Sequence, residues 1–429
     1  MHFRVTDVVE GGEAGTVVGA SRYAWLVFAV TFGLLLSDYM SRQVLNAVFP
    51  LLKAEWSLSD ARLGGLSGVV SLAVGALAFP LSLLADRWGR IRSLVLMAAL
   101  WSVATLACGL AQNYQQMLAA RLLVGIGEAA YGSVGLAVLL TVFPAPMRAT
   151  ISGAFLAGGM IGSVLGISVG GFIAAHFGWR AAFAGMAAFG ILLTICYPLV
   201  VKERCVAPAA TNAARRSQRP RLRTLVSSPS LVCAYLGSGV QLFISGALLA
   251  WLPSYLNRYY HMPVAKAALV AAIFVLSSAA GMTICGHAAD RAARDWPALK
   301  LSLAITCCMM SFGVLSIAFL LPPGIMQLIL VGLGMFFGAG TVGPAGAIVA
   351  NLTPAPIHGT ALATLSLANN LLGLAPAPII TGLLADAFGL SAALQLVPFI
   401  SLAAAGIFAI AKLSYHRDLQ LAGLRAAVA

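Results

Sequence analysis

The sequence predicts an all-α membrane protein of twelve transmembrane helices arranged as two pseudo-symmetric six-helix bundles. Composition, the spacing of apolar runs and an internal repeat carry that expectation. The 429 residues are 60% hydrophobic and 9% charged, whereas soluble domains are about 25% charged. Apolar runs of the length needed to cross a hydrocarbon core of about 30 Å recur between polar breaks. They lie near 23-49, 64-85, 93-111, 116-142, 150-174, 181-200, 230-256, 267-288, 299-321, 326-350, 360-384 and 391-413.

The repeat is seen in the loops, where apolar composition alone would not produce it. "PAPMRAT" at 144-150 returns as "PAPIHGT" at 354-360, and "HFGWRAA" at 176-182 as "AFGLSAA" at 387-393, both with an offset of about 210 residues. "LADRWGR" at 84-90 has a looser copy, "AADRAAR", at 288-294. Such internal symmetry is typical of transporters. It divides the chain into a tail (1-22), a first bundle (23-201), a basic linker (202-228), a second bundle (229-415) and a final tail (416-429). Ala, Pro and Arg dominate the linker, as in flexible connections.

Charge sets the expected orientation. With the N-terminus in the cytosol, nineteen Lys and Arg fall in cytosolic segments, and only Lys53, Arg62, Arg180, Arg258 and Lys266 fall outside. Short cytosolic loops retain basic residues, so both termini are expected in the cytosol. The plasma membrane, and specifically a bacterial inner membrane, is the expected location. The net charge of +13 then reflects loops facing anionic lipid and implies no nucleic-acid partner. The first 21 residues carry Asp7, Glu10 and Glu13 and lack a basic stretch leading into an apolar core, so they are not expected to be a signal peptide. The seven cysteines show no ligand spacing and no outer-loop pair, so neither a disulfide framework nor a metal site is expected.

Four charged residues fall at membrane depth: Asp38 and Arg42 in span one, Arg121 and Glu128 in span four. Each costs about 2.5 to 3.5 kcal/mol at the centre of a span. Two positive and two negative charges cancel when close together, which makes a low-dielectric location tolerable. Inert salt bridges between the spans would meet that need, but intramembrane ionisable groups are by default functional candidates. Glu128 lies about twelve residues into its span, about 18 Å deep at 1.5 Å per residue. Burial favours the neutral form of a carboxyl and a neighbouring guanidinium the ionised form. Glu128 is therefore the expected proton-coupling acid. Arg121 and Arg42 are its expected partners, and Asp38 is a second acid or an anchor for Arg42.

Polar groups in the second half, Tyr235, Gln241, Asn369, Asn370 and Gln395, suit interhelical hydrogen bonds. Gln241, Asn369 and Asn370 are retained as candidates for substrate contact. So is Tyr131, three residues beyond Glu128 and so on nearly the same helical face. Trp251 and Tyr255 fit an interfacial aromatic belt.

Several motifs together make the chain similar to members of the major facilitator superfamily. "SLLADRWGRIRSL" resembles the family's G-x-L-A-D-R-x-G-R-[KR] loop, with Ser82 at the first glycine, and "RLLVGIGEA" resembles its R-x-x-x-G-x-G motif in span four. "DYMSRQVLNAVFP" at 38-50 resembles the D-R-x-x-L stretch of the spinster-like and organic anion:cation symporter branches, with Ser41 at the usual Asp and Asp38 one turn earlier. The resemblance implies that spans one, four, seven and ten line a central cavity, so that all four charges surround one space. It also implies a cytosolic latch at Asp86, Gly89 and Arg90, with a weaker copy at Asp290 and Arg291.

The function expected is a monomeric secondary transporter of a small organic solute, an organic anion by preference. It would work by alternating access and be driven by the proton gradient, with no cofactor. A proton-driven exporter of amphiphilic, lysolipid or drug-like compounds is the alternative. A membrane-embedded lipid enzyme is remote, because no catalytic set or metal cluster falls at depth. An ATP-driven pump would need a P-loop, which the sequence lacks.

Overall fold

The computed structural model describes residues 21–202, 225–226, 228–292, 298–354 and 357–428. The expected tail at 1-22 lies outside the described residues except for its last two, and the linker 202-228 lies largely outside them. Within them twelve helices are long and apolar enough to span a membrane: Arg22–Trp56, Asp60–Ala85, Arg90–Leu110, Tyr114–Val142, Ala145–Phe177, Trp179–Val200, Pro229–Tyr259, Val264–Arg291, Leu299–Leu320, Ile325–Leu352, His358–Phe388 and Leu390–Leu421. They are referred to below as spans one to twelve. Where polar side chains stand before an apolar run they start it: Ser21, Ser59, Asn113 and Ser228 each accept a first-turn backbone N–H, satisfying donors that a helix leaves free.

The repeated loops share one backbone solution. Gly178 and Gly389, the glycines of "HFGW" and "AFGL", turn between consecutive spans at φ 85° and 84°, and Gly89 does so at φ 98°. Side chains with a Cβ rarely adopt these values. The repeat extends to the interior of the spans. Span four is interrupted between Glu128 and Tyr131, and span ten between Ala339 and Val342, close to the offset of the repeated loops.

Span eleven widens into a π turn over Asn369–Leu374. There the Ala375 N–H reaches Asn370 O at 2.9 Å. Pro376, next in the chain, has no N–H to continue an ordinary ladder. The segment 416-429, read from sequence as a tail, instead prolongs the last helix to Val428. "LQLAGLRAA" supplies mostly strong helix formers, and Asp418 Oδ2 accepts the Ser230 N–H at 3.0 Å, tying that extension to the start of span seven.

The halves meet most extensively through span five with span eight and span two with span eleven. One continuous core joins the first bundle to one end of the second, while the other end of the second bundle has its own cluster around Leu231, Ile348, Phe408 and Tyr415. At the joined end Phe49 of span one packs on Trp251 of span seven, ring centroids 5.2 Å apart. At the end where the clusters are separate, a Cβ added at Gly132, Gly153, Gly346 or Gly359 would meet nothing within 4 Å. The two bundles are thus packed together at one end, while at the other their interiors form separate clusters. Trp251 and Tyr255 are buried instead of forming an interfacial belt: Trp251 packs on Phe49 and donates to Pro378 O, and Tyr255 accepts from Gln327 Nε2 and packs on Phe319 within the second bundle.

Gly178→Ala and Gly389→Ala are each expected to destabilise the protein by about 1–3 kcal/mol, the usual cost of holding an L side chain in such backbone. Thermal unfolding in detergent measures this, and unchanged midpoints for both would refute the strained-turn account.

Candidate functional site

Span one brings Asp38, Arg42 and Asn46 onto one helical stripe at four-residue intervals. That stripe faces the last turn of the first segment of span four, where Glu128 ends the helix. Arg42 Nε and Nη2 both donate to Glu128 Oε2, at 3.0 and 2.9 Å. The Glu128 side chain is fully buried and that of Arg42 retains 15% exposure, so the pair is sealed on the carboxylate side and partly open on the side of the arginine.

Asp38 does not anchor Arg42. Asp38 Oδ1 and Glu128 Oε1 are instead buried and receive no protein donor.

Arg121 departs from expectation. It is fully buried, but its guanidinium turns from Glu128 to backbone carbonyls: Nε to Leu66 O at 3.2 Å, Nη1 to Ser41 O at 3.0 Å and Nη2 to Arg42 O at 3.1 Å. It therefore clasps spans one and two to span four, and among the described residues Arg42 alone ion-pairs with Glu128. The physical reason is geometric: a planar fork reaches three fixed carbonyls at once, and Glu128 lies two turns further along.

Tyr131 also departs. The helix breaks at Ala130, φ −116° and ψ 1°, so the i to i+3 relation with Glu128 is lost. Its side chain is fully buried, with the hydroxyl donating to Thr31 O at 2.8 Å and the ring edge-on to Trp101 at 4.9 Å.

In the second half Gln241 is fully buried and neither of its amide atoms has a protein partner. Asn369 Oδ1 accepts the Ser238 hydroxyl at 2.8 Å, which joins span eleven to span seven. Asn370 gives its amide to Ser366 O at 2.9 Å and leaves Oδ1 buried without a donor. A Cβ at Gly75 would lie 3.1 Å from Asn370 Cβ, which places Asn370 against span two of the other half.

Sequence reasoning passed over a buried chain beside Arg42: Ser67 Oγ donates to Asn46 Oδ1 at 3.1 Å, and Asn46 Nδ2 to Gln43 Oε1 at 2.7 Å. Its signal was two adjacent-turn amides in an apolar span.

At the other latch candidates, Gly89 makes the turn and donates its N–H to Ala85 O at 3.1 Å. Arg90 begins span three, and the Asp86 side chain lies outside the described residues. In the second copy Asp290 and Arg291 are exposed, with Lys300 Nζ 3.9 Å from Asp290 Oδ1.

A twelve-span fold in two related bundles, with charge at depth confined to the first, defines the class to which comparison with known proteins assigns the chain. The profile of the Major Facilitator Superfamily matches residues 31–343, and the chain belongs to that family. It is 30% identical over 266 residues to a protein of Escherichia coli (strain K12) described as "Probable L-galactonate transporter", covering 59% of this chain and 58% of that one. It is 27% identical over 330 residues to the gallate transporter of Pseudomonas putida, covering 69% and 72%. It is likewise 27% identical over 260 residues to protein spinster homolog 1 of Xenopus tropicalis, covering 58% and 49%. The chain thus spans less than two thirds of the length of several relatives that it matches.

Two solved structures share the fold. One is a bacterial homolog of the human lysosomal transporter Spinster, in an inward-facing and unoccupied conformation, with TM-score 0.84, 21% identity and coverage of 93% and 99%. The other is a D-xylose–proton symporter, with TM-score 0.72, 19% identity and coverage of 90% and 97%.

Arg121→Lys is expected to lower the thermal midpoint in detergent, because an ammonium cannot reach the same three carbonyls and each lost charge-assisted hydrogen bond removes about 1.5–3 kcal/mol. Glu128→Gln, which keeps an acceptor for Arg42, is expected to lower it less. The reverse order would sink the assignment of Arg121 as the clasp and Glu128 as the exchangeable partner.

Proposed function

We propose that the chain is a proton-coupled secondary transporter of a small organic anion, working by alternating access in the plasma membrane with both termini in the cytosol. The observation that carries the proposal is the buried Arg42–Glu128 pair with an undonated carboxyl oxygen on each of Glu128 and Asp38. The L-galactonate and gallate transporters among its relatives support an anionic substrate, since both names denote carboxylates.

In this mechanism the carboxylates exchange places on one guanidinium. Arg42 uses Nε and Nη2 for Glu128, which leaves Nη1 and the exposed edge of the group for a substrate carboxylate. A proton delivered to the Asp38–Glu128 pair neutralises Glu128 and frees Arg42 for full bidentate binding of the anion. Loss of that proton restores Glu128 as an acceptor, and it displaces the substrate. Removing one partner of a buried ion pair costs about 3–5 kcal/mol. An Arg42 with neither anion is therefore a disfavoured state to carry between the two faces, and this ties substrate movement to proton movement. Arg121, already satisfied by carbonyls, keeps its charge throughout and holds the stripe of span one against span four.

The positive-inside distribution of Lys and Arg supports the orientation. With that orientation the end where the two cores separate faces the cytosol.

Glu128→Gln is expected to abolish accumulation of substrate driven by an imposed pH gradient in proteoliposomes. Exchange of labelled for unlabelled substrate at equal concentration should persist. A panel of sugar acids, aromatic acids and lysolipids, each assayed with and without the gradient, tests the substrate class. Gradient-driven accumulation by Glu128→Gln equal to the parent would defeat the coupling assignment. Movement of lysolipids with no response to any acid would transfer the chain to the exporter reading.

A further inference from the structure

At the closed end, a second group of charges is shared between the halves. Asp60, the first residue of span two, is buried and accepts three donors. Lys53 Nζ comes from span one at 2.6 Å, and Arg258 Nη1 and Nη2 come from span seven at 2.8 and 2.7 Å. The start of span two is itself held from the other half. The backbone N–H groups of Asp60 and Ala61 donate to Asp386 Oδ1 and Oδ2 of span eleven at 2.7 and 2.9 Å. A carboxylate at a helix N-terminus is favoured by both the free N–H groups and the helix dipole.

Below these charges the backbones of spans two and eleven are in contact at glycines. A Cβ at Gly64 would collide with the Pro378 carbonyl, one at Gly68 with that of Ala375, and one at Gly382 with that of Asp60. Across the molecule a Cβ at Gly171 of span five would collide with Ala268 of span eight.

We propose that Asp60, Arg258 and Asp386, seated over the Gly64–Gly68–Gly382 seam, form a gate whose strength sets how often this end opens, and that Lys53 is the counter-ion that makes opening affordable. Arg258 and Asp386 belong to the second bundle and leave when the halves part. Lys53 belongs to the first bundle and stays with Asp60, so the buried carboxylate is never stripped of all its partners. The two cations therefore have opposite effects on the gate. Arg258 holds it shut, and Lys53 lowers the barrier to its opening.

The inference rests on the alternating-access reading but not on the substrate or the coupled ion, and its test reads the gate directly. Spin labels are placed at Ala54→Cys and Lys266→Cys, two exposed positions on opposite halves at this end. The other cysteines are replaced, the protein is held in nanodiscs, and distances are measured by pulsed electron resonance. The parent is expected to show mainly a short distance. Arg258→Gln should raise the long-to-short ratio about tenfold, as for loss of one charge-assisted pair. Gly64→Ala should make the long distance dominant, because the closed seam has no room for its methyl group. Lys53→Met should reduce the long-distance fraction below that of the parent. These opposite signs cannot come from general loosening of the fold. Parent-like distributions in Arg258→Gln and Gly64→Ala, both monodisperse and with parent-like thermal midpoints, would overturn the gate. A rise in the long distance with Lys53→Met would overturn the role given to Lys53. If one variant aggregates, the signs of the other two still decide. Loss of transport with an unaltered gate response would count against the coupling mechanism and leave the gate standing.

Discussion

A guanidinium held between membrane helices needs its donors matched, and this protein does so in two ways. Arg121 spends its fork on three backbone carbonyls, partners that cannot be titrated or carried away. Arg42 spends two donors on one oxygen of a carboxylate, a partner that a proton can neutralise. The first arrangement fixes the distance between spans one, two and four. The second is built on that fixed distance, since Glu128 meets Arg42 only because span one is held where Arg121 puts it.

The duplicated architecture is followed closely by the backbone and loosely by the chemistry. The turn glycines Gly178 and Gly389 have matching φ values, and spans four and ten break at corresponding places. Yet the helix before the break in span four ends on Glu128, whereas that before the break in span ten ends on Ala339. Backbone geometry is constrained in both halves because each must satisfy its own amides within the bilayer. A charge at depth needs a partner, so one half can hold the ionic machinery while the other offers the uncharged amides of Gln241 and Asn370. The conformation described here, closed where Asp60 meets Arg258, leaves Arg42 partly exposed and Glu128 fully buried.

Much of this was legible in the sequence. Length of apolar runs gave the twelve spans, the repeated loops gave the two bundles, and the rarity of charge at depth pointed to Asp38, Arg42, Arg121 and Glu128. Direction was less legible than position. A straight helix would have set Arg121 and Glu128 on nearly one face and Tyr131 beside them, but Arg121 is drawn to carbonyls of other spans and the chain breaks before Tyr131. The gate at Asp60 was missed altogether, because Lys53 and Arg258 were weighed only as basic residues on the wrong side for topology. Among the five outer basic residues, Lys53 and Arg258 bind Asp60 and Arg180 binds Glu55. A cation that runs against the general charge distribution is often there for a local acid, which is the signal that would have found it.

The sequence by itself determined that this chain lies in a membrane, how many times it crosses, that it is built twice, and which residue types are too costly to be there without purpose. Those properties follow from transfer energies and periodicity, which act on each segment alone. Tertiary structure decided which guanidinium meets which carboxylate, which polar groups are left without partners, and which end of the molecule is shut. Such pairings depend on side chains from separate spans arriving within about 3 Å of one another, and no local property of the chain encodes that distance.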